Sequence, residues 1–552
     1  MLTFRNGVRS VLRALLLTMV QLGLWSALEV HAESVRPASA QRSASDFLIP
    51  QPQSVNVLGT EPGFVLDDAA LVVAPASWAL TARLIANEWR VRLVDTESAE
   101  AAPAGRNVLR FVPSPLPGEP VGSYRLQVRR NQITITAADS EGAANAMNTL
   151  RQLAMAERAL RQAASKRAIT IPALDVVDRP RFAWRGLMLD LSGHFFGVKT
   201  IKQVIDNMAA YKLNRLHLHL ADNFGWRLDV PAYPRLRTVG ARGDASRPDG
   251  PAKLFSASEL REVVKYAANR NIEVIPEIDM PGHSAALARA YPELSDGHQT
   301  LNPASPATYK FIDAVLNQLV TIFPSRYIHI GGDEVRETRW EKMSDVVAMA
   351  RSLNPTAEAP DFLAVEAEFT KRVAQMVAKH GRVAIGWDEV AHAGLPSNVV
   401  VQWWRKDKPE SLRSALKAGH SVVLSPADRL YLDYPAGLGE PGAPWEGNDG
   451  GPMSIEKIVS WTPVPTDISS EQSRQIMGIE APLWTAFVRS QSFLEFMLYP
   501  RLAAVAEVAW RTKASGDPTE FIGRLTPHIS RWTASGVNVR ARPEDAYRYM
   551  VH

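Results

Sequence analysis

The sequence predicts an α/β protein, a (β/α)8 TIM barrel preceded by a small α+β domain. Three observations lead to this prediction. Beyond about residue 180, eight short apolar runs alternate with longer stretches of helical periodicity, as a barrel of eight parallel strands requires. Carboxylates, a histidine and tryptophans follow those runs. Upstream, strand-like and helix-like patterns are mixed over a shorter region.

Composition limits the classes of function. Hydrophobic residues make up 46% of the 552 residues and charged residues 22%, which is ordinary for a globular protein. The formal charge is only +4, from 62 basic and 58 acidic residues, and no basic stripe concentrates it. Nucleic acid is therefore not the expected partner. The chain has no cysteine, so a disulfide framework is impossible.

Residues 1–32 have the features of a signal peptide. Arg5, Arg9 and Arg13 form a positive n-region, and residues 14–28 are a mostly apolar run that is too short for a comfortable membrane span. The small-residue pattern predicts cleavage after Ala32. A retained membrane anchor is the alternative. After cleavage we expect no membrane span, and a periplasmic or secreted bacterial enzyme.

A small α+β domain is predicted over residues 47–178, after a flexible linker over residues 33–46 that is rich in Ser, Ala, Arg and Gln. The predicted strands are 70–73, 107–111, 124–128 and 131–136, and the predicted helices are 77–89 and 141–161. The last two strands suggest a hairpin. Because no cluster of catalytic residue types occurs here, we expect a structural role for this domain.

Residues 179–552 are predicted to form the catalytic barrel. The eight strand-like runs are 186–191, 215–220, 273–278, 327–330, 382–387, 398–403, 421–424 and 476–480. Helical stretches lie between most of them, for example 200–212, 257–271, 306–322 and 362–379. Residues 430–465 form a long segment rich in Gly, Pro and Trp without clear periodicity, and a loop of that length is usually functional.

The active site of such a barrel lies at the carboxyl ends of its strands, so the residues that follow each run are candidate site residues. Most are acidic or aromatic: Asp190, Asp222, Trp226, Glu277, Asp279, His283, Asp333, Glu334, Trp387, Asp388, Glu389, Trp403, Trp404, Asp428, Tyr431, Asp433, Glu480 and Trp484. Carboxylates serve acid chemistry and hydroxyl binding, and aromatic rings cover the apolar faces of sugars. This set therefore indicates a carbohydrate site.

Two other interpretations of these residues fit less well. A metal site would need histidine and carboxylate ligands at a recognisable spacing, and Asp279 with His283 is the nearest approach, so no metal or other cofactor is expected. His217 and His219 share one face of the second predicted strand. We expect them to be hydrogen-bonded histidines of the barrel core.

The most distinctive stretch is the fourth strand, which leads into Gly331-Gly332 and then into the adjacent carboxylates Asp333 and Glu334. Glycines allow a sharp turn and the close approach of a ligand. Adjacent carboxylates at the end of a buried strand are costly unless they are solvated, paired or used. The alternative is a strand-to-helix loop in which one of the two caps the next helix.

These motifs together resemble those of the β-N-acetylhexosaminidases of glycoside hydrolase family 20. The strongest match is His329-Ile330-Gly331-Gly332-Asp333-Glu334. Four more motifs, at residues 185–190, 216–220, 276–283 and 480–484, occur along the chain in the same order as in the family. The resemblance extends from about residue 48 to residue 510.

The resemblance implies a retaining glycosidase whose nucleophile is supplied by the substrate. The 2-acetamido oxygen of the sugar attacks the anomeric carbon and forms an oxazolinium intermediate. By resemblance, Glu334 protonates the leaving oxygen, and Asp333 holds the acetamido N–H and stabilises the charged intermediate. Asp222 and His283 would form the polar relay that orients Glu334. An intramolecular nucleophile spares much of the entropy of positioning it.

The resemblance also implies the residues of the sugar pocket. Indoles enclose the N-acetyl group and the sugar ring, a tyrosine binds the acetamido oxygen, an aspartate binds a hydroxyl, and a further indole stacks at the edge of the subsite. In that order the implied residues are Trp387, Trp404 and Trp484, then Tyr431, Asp433 and Trp461. Taken singly, each indole could equally be a core residue.

Two positions depart from the family pattern. Arginine usually precedes the His-Phe that follows strand one, where this chain has Gly193. Glutamate usually lies two positions after the strand-eight tryptophan, where this chain has Ala486. By resemblance, those two side chains clamp the 3- and 4-hydroxyls of a terminal sugar, so their replacement is expected to free volume there and concerns the substrate more than the reaction.

The expected function is removal of terminal β-linked N-acetylglucosamine or N-acetylgalactosamine from an oligosaccharide or glycoconjugate. Release of a disaccharide or of a substituted N-acetylhexosamine, as by a lacto-N-biosidase, is the alternative reaction. A non-catalytic sugar-binding protein on the same fold is the rival from another class, although a binding protein gains nothing from holding an acid at Glu334.

Overall fold

The computed structural model describes residues 42–95, 106–160, 168–335, 337–392, 394–444, 451–512 and 516–541. The predicted signal peptide and most of the predicted linker lie outside the described residues. The end of that linker is ordered, because the 3-10 helix Ala44–Phe47 begins inside it, capped reciprocally by Ser43 and Asp46. In the described part of the chain, no helix has both the length and the apolarity to cross a bilayer.

The N-terminal domain is built on a mixed seven-stranded sheet with the order β1-β9-β6-β7-β5-β3-β4. Its strands, and the pair β2–β8 beside it, are β1 Ser54–Val57, β2 Phe64–Leu66, β3 Leu71–Ala74, β4 Arg92–Asp95, β5 Val108–Pro113, β6 Tyr124–Val128, β7 Gln132–Ala137, β8 Ile169–Ile171 and β9 Leu174–Asp178. The predicted hairpin is confirmed, because β6 and β7 pair antiparallel. The helices of the domain are Ala79–Trp89 and Ser140–Leu160.

Eight parallel strands then close into a barrel in the order β10-β11-β14-β15-β16-β17-β18-β19. The strands from here on are β10 Trp184–Asp190, β11 Arg215–His219, β12 Arg242–Asp244, β13 Arg247–Ala252, β14 Glu273–Glu277, β15 Tyr327–His329, β16 Val383–Trp387, β17 Val400–Trp403, β18 Val422–Leu424 and β19 Ile476–Leu483. All eight predicted strands occur, and β12 and β13 form a small separate ribbon.

Helices surround the barrel, and each of them except Ser470–Gln475 buries at least one side chain. They are Val198–Ala210, Ala257–Ala268, Ala285–Ala290, Pro306–Ile322, Ser344–Leu353, Phe362–Lys379, Pro409–Lys417, Ala427–Leu430, Ile455–Val459, Ser470–Gln475, Gln491–Leu498, Arg501–Trp510, Pro518–Arg524 and Thr526–Ala534. Short turns of other helix types are Ala76–Trp78, Leu236–Gly240, Pro292–Leu294, Glu337–Lys342 and Asp388–Val390. Ile455–Val459 lies inside the long segment, and five residues are too few to show a helical period.

The interior of the barrel has an apolar lower layer and a polar upper layer. The lower layer is formed by Trp184, Ile275, Ile385, Val400 and Val423. Above it, at the carboxyl ends of the strands, the side chains are charged or polar although they are buried. Because buried charges are costly unless they are paired, this upper layer has to be a network of ion pairs and hydrogen bonds.

A buried ion pair joins the two domains. Asp178, at the end of β9, accepts hydrogen bonds from Lys212 Nζ at 2.9 Å and from the Tyr124 hydroxyl at 2.7 Å. Its other oxygen accepts from Trp510 Nε1 at 2.9 Å. Since breaking a buried pair typically costs about 3–5 kcal/mol, the N-terminal domain is held firmly against the barrel.

Candidate active site

The turn after β15 can be built only with glycine. Gly331 and Gly332 have φ values of 70° and 100°, in the left-handed region that side chains disfavour. A Cβ at Gly331 would lie 1.8 Å from Asp279 Oδ1, and one at Gly332 would lie 2.4 Å from Val390 Cγ1. The glycines therefore let the chain reverse against the segments that follow β14 and β16, and the next two residues enter the mouth of the barrel.

The turn gives its two carboxylates different surroundings. The Asp333 side chain is 10% exposed and that of Glu334 is 60% exposed. Glu334 itself has a φ of 48°, which is uncommon for a residue with a side chain and occurs mainly where surrounding structure enforces it. One carboxylate is therefore enclosed, and its neighbour faces solvent and an incoming ligand.

Both carboxylates face the same imidazole. His283 Nε2 lies 3.4 Å from Glu334 Oε2 and 3.6 Å from Asp333 Oδ2. On the other side of the ring, His283 Nδ1 lies 3.0 Å from Asp222 Oδ1. The side-chain nitrogen Nδ2 of Asn223 lies 3.2 Å from the same His283 Nδ1. The structure thus brings together all four residues that the sequence suggested for catalysis.

Charge pairing fixes the protonation states of the Asp222–His283 dyad. Burial opposes the charge on His283, but the carboxylates of Asp222 and Asp333 raise its pKa well above the usual value. Burial also opposes ionisation of Asp222, yet His283 and a hydrogen bond from His219 lower its pKa. At neutral pH the dyad is an ion pair.

The other buried carboxyls of the site have raised pKa values. Burial, opposed by His283 and reinforced by Glu277, raises the pKa of Asp333 to about 6. Burial and the nearby Asp333 raise the pKa of Glu389 to about 8, and the same two causes raise the pKa of Asp279 well above its usual value. Near pH 7, Asp333 is therefore mostly ionised, whereas Glu389 is mostly neutral.

An aromatic wall stands beside the carboxylates. The rings of Trp404 and Tyr431 stack with 6.2 Å between centroids and 15° between planes. Tyr431 also meets Trp484 at 6.5 Å, and Trp484 meets Trp387 at 5.9 Å. Four of the predicted pocket residues, from three different strand ends and the long segment, therefore form one surface.

Carboxyl groups accept hydrogen bonds from the two tryptophans at the ends of this wall, Trp404 and Trp387. Trp404 Nε1 donates to Glu389 Oε2 at 3.0 Å, and Trp387 Nε1 donates to Glu277 Oε1 at 3.0 Å. Trp387 is only 1% exposed, so it forms the base of the wall, whereas Trp404 is half-buried.

Two further predicted residues lie in the long segment. Asp433 is buried next to Tyr431 and Tyr434, and the guanidinium of Arg501 fixes this stretch by donating to the Tyr434 carbonyl at 2.8 Å. Trp461 is half-buried and packs on the barrel core. Among the described residues, no ring contact connects it to the aromatic wall.

The two departures from the family pattern are neighbours in space. A Cβ at Gly193 would lie 2.4 Å from Asp190 Oδ2, 2.9 Å from Thr485 Oγ1 and 2.8 Å from the Ala486 nitrogen. Asp190 fills this space because it accepts from the Thr485 nitrogen and hydroxyl, both at 2.9 Å. A residue with a side chain therefore does not fit at position 193 while Asp190 and Thr485 keep these places, and the expectation of free volume further out stays a prediction.

The sequence placed three buried residues near the site without giving them individual roles: Glu277 and Glu480 follow predicted strands, and His329 begins the strongest motif. Glu277, Glu480 and His329 lie in the upper layer of the barrel and are fully buried. Strand alternation could have predicted that Glu277 points into the barrel, because it lies two residues after the inward-facing Ile275. The expectation for His217 and His219 as bonded core histidines is confirmed, since carboxylates face their ring nitrogens.

Ion pairing accounts for the places where carboxylate oxygens and imidazole nitrogens gather. Within the described ranges, such atoms lie within 4.8 Å of one another in two groups, which are Asp279, His283 and Asp333, and His217, Glu277 and His329. In each group a carboxylate faces an imidazole nitrogen. The prediction that the site holds no metal stays a prediction.

Comparison with protein families matches nearly the whole described chain. A model described as the catalytic domain of glycosyl hydrolase family 20 matches residues 182–513, and one described as domain 2 of the same family matches residues 46–179. Residues 182–513 contain every member of the site.

The chain is also similar to individual proteins. It is 31% identical over 517 residues to a β-hexosaminidase of Porphyromonas gingivalis, covering 89% of this chain and 64% of that one. It is 34% identical over 438 residues to a β-N-acetylhexosaminidase of Cellulomonas fimi, covering 76% and 81%. The chain thus spans just under two thirds of the length of the Porphyromonas protein.

Solved structures with the same fold include two with bound sugars or analogues. The N-acetyl-β-hexosaminidase of Streptomyces plicatus in complex with Thio-NAglucal has a TM-score of 0.77 and 31% identity, covering 92% of this chain and 99% of that one. The exo β-N-acetylglucosaminidase of Vibrio harveyi in complex with N-acetylglucosamine has a TM-score of 0.78 and 29% identity, covering 92% and 80%.

Proposed function

The chain belongs to glycosyl hydrolase family 20, and from this premise we propose that it is a retaining β-N-acetylhexosaminidase. It would remove terminal β-linked N-acetylglucosamine or N-acetylgalactosamine from oligosaccharides or glycoconjugates, in the periplasm or outside the cell. The observation that carries the proposal is the Asp333–Glu334 pair, in which one carboxylate is buried and charged while the other faces solvent. The names of the similar enzymes support the substrate class.

The first step of the proposed reaction uses both carboxyls. The acetamido oxygen of the sugar attacks the anomeric carbon, and the bond to the leaving oxygen breaks as Glu334 donates its proton to that oxygen. The Asp333 carboxylate accepts the acetamido N–H and faces the positive charge that spreads over the forming oxazolinium ring. Since Asp333 is enclosed, its charge acts in a medium of low dielectric, where it stabilises a cation more strongly than in water.

The second step reverses these roles with water. Water attacks the anomeric carbon and gives a proton to the Glu334 carboxylate, the ring opens, and the sugar is released with its original configuration. The 60% exposure of Glu334 suits a group that must meet first a leaving oxygen and then water. Trp404, Tyr431 and Trp484 would enclose the N-acetyl group, so that its oxygen stays within reach of the anomeric carbon.

The substitution Glu334→Gln should identify the acid. General acid catalysis is worth roughly 10²- to 10⁴-fold, so kcat on a natural disaccharide should fall by about that factor. An aryl glycoside with a very good leaving group needs little protonation and should lose much less. Steady-state kinetics on both substrates measure this, with Glu368→Gln, a glutamate on the outer helix Phe362–Lys379, as the matched control. Equal losses on both substrates would show that Glu334 is not the acid.

The pH dependence of kcat/KM should report Asp333. Its pKa is about 6, and the ionised form is the one that accepts the acetamido N–H. The value of kcat/KM should therefore fall about tenfold per pH unit below pH 6. This fall is the acidic limb of the pH profile, and the residual activity of Asp333→Asn should lack it. A limb that lies near pH 4, or one that persists in Asp333→Asn, would contradict the assignment.

A second candidate function is release of a disaccharide or of a substituted N-acetylhexosamine. The observation that favours it is that Gly193 and Ala486 are neighbours, so the two departures remove both parts of one clamp on the 3- and 4-hydroxyls. Asp190 and Thr485 occupy the Cβ position of residue 193, so a further sugar would lie beyond these two side chains or beside Ala486.

Substrate comparison separates the two candidates. Rates on a terminal N-acetylglucosaminide are compared with rates on the same sugar carrying a 3- or 4-linked galactose, with the products identified. The first candidate predicts that only the unsubstituted sugar is released. Intact disaccharide as the product would favour the second candidate, and Ala486→Glu should then suppress its release.

A further inference from the structure

The Asp222–His283 dyad is the outer end of a longer row of charged groups. From the barrel core to the catalytic pair, three carboxylates alternate with three histidines: Glu480, His217, Glu277, His219, Asp222 and His283. The first four lie inside the barrel with 0–1% exposure. This row, hereafter the alternating chain, connects β19, β11 and β14 to the turn that carries the two catalytic carboxyls.

The contacts of His217 and His219 with the buried carboxylates Glu480 and Glu277 require charged imidazoles. His217 Nδ1 lies 2.8 Å from Glu480 Oε1, and its Nε2 lies 3.0 Å from Glu277 Oε2; the second contact is not aligned as a hydrogen bond and acts as an ion pair. His219 Nδ1 is hydrogen-bonded to the same Glu277 oxygen. A neutral imidazole has only one N–H, so a ring with a carboxylate at each nitrogen is stable as the cation.

The outer contacts pass through one side chain. His219 Nε2 lies 3.2 Å from Asp222 Oδ2, and the other oxygen of Asp222 lies 3.0 Å from His283 Nδ1. Asp222 is therefore held at both oxygens, by one histidine from inside the barrel and by one at the active site. His219 is the residue through which the core carboxylate Glu277 contacts the dyad.

A branch from Glu277 supplies an internal comparison. His329 Nδ1 lies 2.9 Å from Glu277 Oε1, in the same buried layer as His219. Burial and the neighbouring His217 lower the pKa of His329, so this imidazole is neutral. It contacts the same carboxylate as His219, but it carries no charge and does not contact Asp222.

We propose that His219 and Glu277 are positioning residues that set the charge and orientation of the catalytic carboxyls from inside the barrel, with His219 fixing Asp222 as an anion against His283. This inference rests on the proposed function and adds residues that do not touch the substrate. The alternating chain has as many cations as anions, and removal of one member changes the net charge beside Asp333 by one unit.

The charges that face one another determine whether removing His219 or Glu277 raises or lowers the pKa of Asp333. His219 faces Glu277 from β14, Asp279 from the segment after β14 and Asp222 from the loop after β11. His283 faces Asp222, Asp333 and Glu334, and Asp279 lies beside it. Loss of the His219 cation leaves an excess negative charge, which favours protonated Asp333. Loss of the Glu277 carboxylate leaves an excess positive charge, which favours ionised Asp333.

The test compares the acidic limb of kcat/KM in matched variants. His219→Gln should move the limb upward by on the order of one pH unit, and Glu277→Gln should move it downward by a similar amount. The double variant removes one charge of each sign, so its limb should return close to that of the parent protein. His329→Gln removes a neutral ring from the same carboxylate and should leave the limb in place.

Opposite shifts separate this role from a structural one, because a general loosening of the barrel would move all variants in the same direction. An unchanged limb in His219→Gln and Glu277→Gln, or an equal shift in His329→Gln, would overturn the inference. If a single variant does not fold, the double variant keeps the charges balanced, and a limb displaced in the double variant would also count against the inference.

A second measurement does not depend on activity. Nitrogen-15 spectra of the histidine rings in the unaltered protein, assigned through single variants, should show His217 and His219 protonated at both nitrogens at pH 7.5, and His329 protonated at only one. A neutral His219 at this pH would overturn the inference even if the enzyme is active. A parent protein that hydrolyses no N-acetylhexosaminide would instead contradict the proposed function, and these spectra would still test the alternating chain.

Discussion

The carboxylate of Glu277, enclosed in the barrel, is the interaction on which the site depends. Glu277 Oε1 accepts a hydrogen bond from Trp387 Nε1 at 3.0 Å. The two carboxylate oxygens also lie against the imidazoles of His329, His217 and His219. Removing such a charge from water costs several kcal/mol unless partners surround it, so each partner is tightly constrained. Of these partners, Trp387 forms the base of the aromatic wall, His329 precedes the catalytic turn, and His219 contacts Asp222 of the dyad.

The second constraint is the close approach of two backbones above that layer. The Asp279 side chain lies where a Cβ of residue 331 would be, so the fourth strand can end there only with glycine. The reversal that follows is what separates the fates of two adjacent carboxyls. Asp333 turns into the barrel, where burial raises its pKa to about 6, and Glu334 turns outward. Neighbours in sequence thus acquire different chemistry from the fold alone.

Much of this arrangement could be predicted from the sequence. The eight strands were predictable because each is an apolar run, and the catalytic residues because they follow those runs at the end where barrel sites lie. The surroundings of Gly193 could not be predicted, because Asp190, at the end of β10, and Thr485, just after β19, are 295 residues apart in the sequence. The alternating chain likewise depends on register between β11, β14 and β19, and the helix Ile455–Val459 is too short to show a period.

The central claim is that the substrate supplies the nucleophile while Asp333 and Glu334 assist it. The most direct measurement is kcat/KM for two aryl β-glycosides with the same leaving group, one with a 2-acetamido group and one with a 2-hydroxyl. Well-placed intramolecular groups reach effective molarities of about 10⁵–10⁸ M, so the N-acetylglucosaminide should react faster by several orders of magnitude. Comparable rates on the plain glucoside would contradict the account.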